Sequence, residues 1–253
     1  MRNPSRVPGL ILVILAGGLF LLFCGGCKKK SDQARKHVEV GLEHFKKQEM
    51  QEALKEFKQA VQLDPINADA HFYLGGIYHA ARAYDASIRE YTEVLRINPR
   101  YRRIHTVIAN IHYERGLRAW GKAVKLDRVT YWLPDTLRQL PFGRREELLG
   151  LVEDYEGKAR ADSGDAETFS RLSQAYFLLA AEEYEKAVKA DPNDTTAQLY
   201  LGLTYAEQGY PYKAMAQYEI TKKLDSNQGE LLLAVLKQKE REKEGLEQIR
   251  KQK

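Results

Sequence analysis

Histidines are the first candidates for chemistry in this 253-residue chain, and three of the six keep a strict interval. His37, His71 and His105 stand 34 and 34 residues apart. Such regularity invites a shared transition metal, since imidazole nitrogens bind zinc at about 2 Å. Equivalent side chains in neighbouring packed helical units, however, lie about 8–10 Å apart, too far to hold one ion. The three therefore read as one packing position repeated, and neither metal nor cofactor is expected. His44 and His112 read the same way. No HExxH, P-loop or GxSxG signature occurs. The 35 acidic and 40 basic residues mix at helical spacing, as on a solvated surface, so no nucleophile–base pair can be argued and no enzyme is expected.

Cys24 and Cys27 are the only thiols, and their setting suggests a different chemistry. Arg2 and Arg6 precede an uncharged run, Gly9–Gly26, which is the layout of a secretory signal with small residues at its cut. Gly25-Gly26-Cys27 resembles the lipobox of bacterial lipoproteins, which implies lipidation at Cys27. Cys24 stands where that pattern usually has leucine. An uncleaved anchor is the rival, because about 18 apolar residues barely span a ~30 Å hydrocarbon core. Lys28-Lys29-Lys30 with Arg35 and Lys36 outweighs Arg2 and Arg6, which would then favour a cytoplasmic body. A plain secretory signal is the third reading. With Lys28 after the cysteine, the lipobox reading implies an outer-membrane lipoprotein facing the periplasm; the alternative is a single-pass inner-membrane anchor.

The elements that position everything else follow the same interval. Val40, Gly41, His44, Ala53, Phe57, Ala60 and Pro65 recur as Leu74, Gly75, Tyr78, Ser87, Tyr91, Val94 and Pro99. Leu201, Gly202, Tyr205, Gly209, Ala214, Tyr218 and Leu224-Asp225 form another copy. Small residues let two helix backbones approach, an aromatic fills the space between hairpins, and proline ends the unit. Over about residues 34–236 this resembles the tetratricopeptide repeat (TPR) family. The resemblance implies an all-α solenoid of stacked helical hairpins, about five repeats with one degraded, closed by a capping helix.

Two stretches depart from the pattern. In full repeats the first-helix aromatic and its second-helix counterpart are spaced as Tyr78 and Tyr91 are. His112 and Trp120 stand five positions closer, and so do Tyr176 and Tyr184. Leu172, Tyr176, Ala180, Tyr184 and Val188 run at i,i+4 spacing, which predicts one unbroken helix. For the earlier stretch Glu114-Arg115-Gly116 also reads as an ordinary turn. Residues 128–143, with Pro134, Pro141, Tyr131, Trp132 and Phe142, read as a packed crossover. A helix over 144–161 reads as the surviving second helix of the degraded repeat. The resulting layout is 1–27 signal or anchor, 28–33 basic tether, 34–127 units 1–3, 128–143 crossover, 144–227 degraded repeat plus units 4–5, and 228–253 cap and charged tail.

Removing residues 1–26 lowers the net charge from +5 to +3, and no arginine-rich stripe appears, so nucleic acid is not an expected partner. The resemblance implies a concave groove lined by first helices, mapping to Arg35, Val38, Asp69, Phe72, His79, Arg103, Asn110, Tyr113, Gln174 and Phe177. It would hold a partner protein or peptide beside a membrane, as TPR lipoproteins of pilus assembly or cell-wall enzyme regulation do. Of the family's carboxylate-clamp residues only Arg103 matches. Self-assembly into a homo-oligomer through the fused helix and the aromatic insertion, or a cytoplasm-facing anchored adaptor, remain as other readings.

Overall fold

The computed structural model describes residues 9–101, 103–126 and 145–251, with side chains from Lys28 onward except at a few positions near the C-terminus. Among them the chain forms ten helices and no strand. It divides into two compact units, residues 1–101 and 102–253.

The first unit holds α1 (Gly9–Lys46), α2 (Met50–Leu63), α3 (Ala68–Ala80) and α4 (Tyr84–Ile97). Two glycines explain why these helices pair closely. A Cβ on Gly41 would sit 2.7 Å from the Phe57 ring, and one on Gly75 would sit 2.8 Å from the Tyr91 ring. Both rings are almost wholly buried. Each hairpin turns through one left-handed residue, Gln48 at φ 62° and Arg82 at φ 61°. Asn67 caps α3 by accepting the Ala70 N–H at 3.0 Å, which satisfies one of the helix's free donors.

The second unit holds α5 (Ile104–Leu126), α6 (Arg145–Ala161), α7 (Ala166–Ala190), α8 (Thr195–Glu207), α9 (Pro211–Leu224) and α10 (Ser226–Lys251). The unbroken helix predicted from Leu172 to Val188 is α7, and α5 is unbroken too, so Glu114-Arg115-Gly116 makes no turn. The pairing of these two helices corrects the expected count of five repeats with one degraded. They run antiparallel: His105 meets Glu183, Asn110 meets Tyr184, Gly116 meets Phe177, and Lys122 lies over Phe169.

Numbering shows what this hairpin is. Its first-helix residues are those of the first hairpin displaced by 68: His37 becomes His105 and His44 becomes His112. Its second-helix residues are displaced by 127: Ala53, Glu56, Phe57, Ala60 and Pro65 become Ala180, Glu183, Tyr184, Ala187 and Pro192. The excess of the second displacement over the first equals the length of the segment 118–176. The two compressed repeats are thus the outer halves of a single repeat, interrupted between its helices by an excursion of that length. The last hairpin, α8 and α9, is displaced by 161 throughout and is of ordinary length.

Within the excursion the ends of α5 and α7 prolong the parent helices, and α6 packs on them. Leu148, Val152 and Tyr155 of α6 share a core with Ala119, Leu172, Tyr176 and Leu179. Hence α6 is no remnant of a degraded repeat, although its bounds are close to those predicted. α10 covers the last hairpin through Leu232, which reaches Gly202. It continues as one helix to Lys251, through most of the charged tail. The crossover at 128–143 lies outside the described residues. Among the described residues no helix is long and apolar enough to cross a membrane; the side chains of the apolar run and of Cys27 lie outside them.

Candidate functional site

In the first unit, α1 presents Arg35 and α3 presents Asp69, Phe72 and His79. Arg35 and Asp69 are exposed, and the two rings are half-buried. Asp69 Oδ1 accepts the Tyr101 hydroxyl at 2.8 Å. Phe72 lies against Tyr101, with centroids 5.4 Å apart and nearly stacked, and also against Tyr73 and Tyr91. His79 leans on Tyr84 with ring centroids 6.0 Å apart. Burial, with help from Asp69, pushes the Tyr101 hydroxyl well above its ordinary value, so it acts only as a fixed donor. The result is a small aromatic patch with a carboxylate at its edge.

In the second unit, Arg103 is exposed and its Nε lies 3.6 Å from Asp194 Oδ2. That buried carboxylate also accepts from Thr106 Oγ1 at 3.1 Å, while its other oxygen caps α8. Asn110 Oδ1 accepts the Tyr184 hydroxyl at 2.6 Å. Tyr113 packs between Phe177 and Tyr200, 5.5 Å from each, and Tyr200 stacks on Tyr184. Burial raises the Tyr113 and Tyr184 hydroxyls as well. Glu207 binds Lys239 at 2.9 Å.

Two expected groove residues are misplaced. Phe177 is wholly buried and Gln174 is 5% exposed. Both were mapped on the premise that the start of α7 is a repeat's first helix, whereas Gln174 belongs to the excursion and Phe177 opens the repeat's second helix, in register with Met50. The positions equivalent to Arg35, Val38, Asn110 and Tyr113 are Thr196, Leu199, Leu203 and Ala206 of α8. Val38 itself is buried. Sequence reasoning also missed Tyr101, in a connector that carries no periodic signal. It missed Tyr200 too, which matches Tyr73 in register; Tyr73 stacks on Phe57 as Tyr200 does on Tyr184.

The histidines pair within their own hairpins. His37 binds Glu56 at 2.6 Å, His71 binds Glu90 at 2.7 Å and His105 binds Glu183 at 2.7 Å. In the last hairpin Gln198 and Gln217 hold the same two positions and bond each other. The Glu90 hydrogen bond raises the His71 pKa above 6.5 against the opposing effect of burial, with the Pro65 carbonyl adding to the rise. Glu183 is the most loaded of these acids. One oxygen takes His105, while the other takes Arg145 of α6 and Lys186 at 3.1 Å. Burial pushes its pKa up, but the His105 hydrogen bond and the Arg145 and Lys186 charges outweigh that and hold it down to about 2. A carboxylate so occupied braces the excursion against its parent repeat. Among the described residues no group of three His, Cys, Asp or Glu is placed to hold a metal.

Two family models match this chain, one described as TPR repeat over residues 41–81 and one as tetratricopeptide repeat over 170–228. Superkiller protein 3 of Saccharomyces cerevisiae is 32% identical over 60 residues, which make up 24% of this chain and 4% of that protein. Solved structures that resemble it include a thermophilic TPR protein of Thermus thermophilus, 17% identical, covering 80% of each chain at a TM-score of 0.45. Others are Pseudomonas aeruginosa PilF (15%, 78% of each chain, TM-score 0.35) and MamA of Desulfovibrio magneticus RS-1. The MamA match is 14% identical and covers 78% of this chain and 97% of that one, with a TM-score of 0.33.

Proposed function

This chain is a tetratricopeptide repeat protein, and from that premise we propose that it is a non-enzymatic scaffold, tethered to a membrane, that holds a partner protein or peptide on its first-helix surfaces. The carrying observation is a division of labour among side chains. Histidines and second-helix acids are paired inside their hairpins, and glycines and rings close the packing. Asp69, Phe72 and Tyr101 in one unit, and Arg103, Asn110 and Tyr113 in the other, are left at the surface with aromatic faces and amide or charged groups. With the Asn110 oxygen turned to the Tyr184 hydroxyl, its amide N–H groups are available to a partner, which suits a backbone carbonyl. Rigid rings give contact area at small entropic cost. The apolar residues of α7 are spent on α5, α6 and α8, which leaves the fused helix little to offer a second copy; the aromatic insertion lies outside the described residues.

A partner recovered with the wild type from detergent extracts will be recovered at least tenfold less with Phe72→Ala/Tyr113→Ala, in material of unchanged helicity. Undiminished recovery rejects these surfaces. Tethering is proposed from the sequence alone, through lipid on Cys27 in an outer-membrane lipoprotein of a bacterial envelope. Metabolic labelling with radioactive palmitate will mark the wild type and leave Cys27→Ser unmarked. Equal labelling of the two removes the lipid, and tethering would then fall to an uncleaved inner-membrane anchor.

A further inference from the structure

Beyond partner binding, we infer that residues 28–36 of α1 form a binding collar for the headgroups of anionic lipid. The inference rests on the reading that the apolar run lies in a bilayer. Residues 28–36 read KKKSDQARK, five cations against one acid. All five, Lys28, Lys29, Lys30, Arg35 and Lys36, are exposed, and among the described residues none is held in an ion pair. Some lysines elsewhere find carboxylates, as Lys158 does with Asp154, Lys186 with Glu182 and Lys239 with Glu207. What sets residues 28–36 apart is density: five cations and one acid fall within nine consecutive residues.

Its place in the fold says what neutralises it. α1 is a single helix from Gly9 to Lys46, so the apolar run, the collar and the first repeat share one axis. The repeat body begins at Ala34, which is wholly buried. Residues 27–33 therefore span about 10 Å at about 1.5 Å per residue, close to the Debye length of about 8 Å at physiological salt. The body's buried positions Ala34, Val38 and Gly41 lie on one side of α1, and Lys28, Lys29, Arg35 and Lys36 cluster on the other. Whether the tether is a lipid on Cys27 or the intact apolar helix, the collar meets the same layer of headgroups. Phosphodiester anions there attract basic clusters next to a membrane segment, and the attraction scales with the number of cations.

The test uses the full chain in neutral detergent micelles, titrated with phosphatidylglycerol or phosphatidylcholine and read by native mass spectrometry. The wild type will retain phosphatidylglycerol at least tenfold better than phosphatidylcholine. The variant Lys28→Gln/Lys29→Gln/Lys30→Gln/Arg35→Gln/Lys36→Gln, with unchanged helicity by circular dichroism, will lose that preference. Equal retention of the two lipids, or an unchanged preference in the variant, overturns the collar. A single-stranded RNA oligonucleotide that binds as tightly as phosphatidylglycerol overturns the lipid assignment. Carbonate extraction of membranes reports separately on tethering: release of the full chain refutes the anchored reading, whatever the lipid titration gives.

Discussion

Glu183→Gln will lower the free energy of unfolding by about 3 kcal/mol at neutral pH, measured by urea denaturation. Removing one member of a buried ionic cluster typically costs about 3–5 kcal/mol, since the remaining charges lose their partner. Here the amide keeps the shape but cannot satisfy His105, Arg145 and Lys186 as an anion does. Because Arg145 and Lys186 are partly exposed, water recovers part of the loss, which places the effect at the lower end. The pH dependence has a defined sign. The folded pKa of about 2 lies below the ordinary 4.5, so the contribution is complete above 4.5 and fades as pH falls from there toward 2. That gap corresponds to about 3 kcal/mol. Wild type and Glu183→Gln should therefore converge in stability across this acid window. A constant difference between them down to pH 2 would show that the carboxylate is not held as its partners imply.

Deleting residues 118–176 will leave a folded, cooperatively unfolding helical protein. This is the stronger claim, because it removes the whole excursion, including all of α6. The deletion joins Leu117 to Phe177 and gives the interrupted hairpin the length of its neighbours. Gly116 then falls in register with Gln48, Arg82 and Gly209, three hairpin-turn residues with positive φ. Glycine enters that conformation without steric cost, although in the present fold α5 passes straight through it. The His105–Glu183 and Asn110–Tyr184 contacts lie on the repeat side of the cut and should survive. Thermal denaturation followed by circular dichroism reads the result. A molten or aggregated product, without a cooperative transition, would mean that α5 and α7 depend on the excursion and do not form an independent repeat.

The all-helical fold was legible because its signals are local. Gly41 and Gly75 against aromatic rings, prolines at 65 and 99, and the i,i+4 series from Leu172 to Val188 each declare a helix or its end within a few residues. The same locality explains what was lost. The short spacing between His112 and Trp120 looks identical whether two repeats are compressed or one is split. Only the meeting of His105 with Glu183 decides, and those residues are 78 positions apart. The candidate surface inherited that error at Gln174 and Phe177. Placements that needed no such register, Asp69, Phe72, Asn110 and Tyr113, fall on half-buried or exposed first-helix positions. Tyr101 could not have been found, because its partner Asp69 is 32 residues away.

The interruption also changes how the chain must reach its native state. In an uninterrupted hairpin the histidine and glutamate that close it are 19 residues apart, so it can zip up soon after both helices of the pair leave the ribosome. Between His105 and Glu183 that separation is fourfold larger. Two doublings of the loop cost about 1.2 kcal/mol of closure entropy, and long-range closures slow folding. Propagation from hairpin to hairpin, the usual route for such arrays, therefore stalls at α5 until α7 has been synthesised. Its exposed apolar stripe must wait meanwhile, which makes this the stage at which the nascent protein most needs a chaperone.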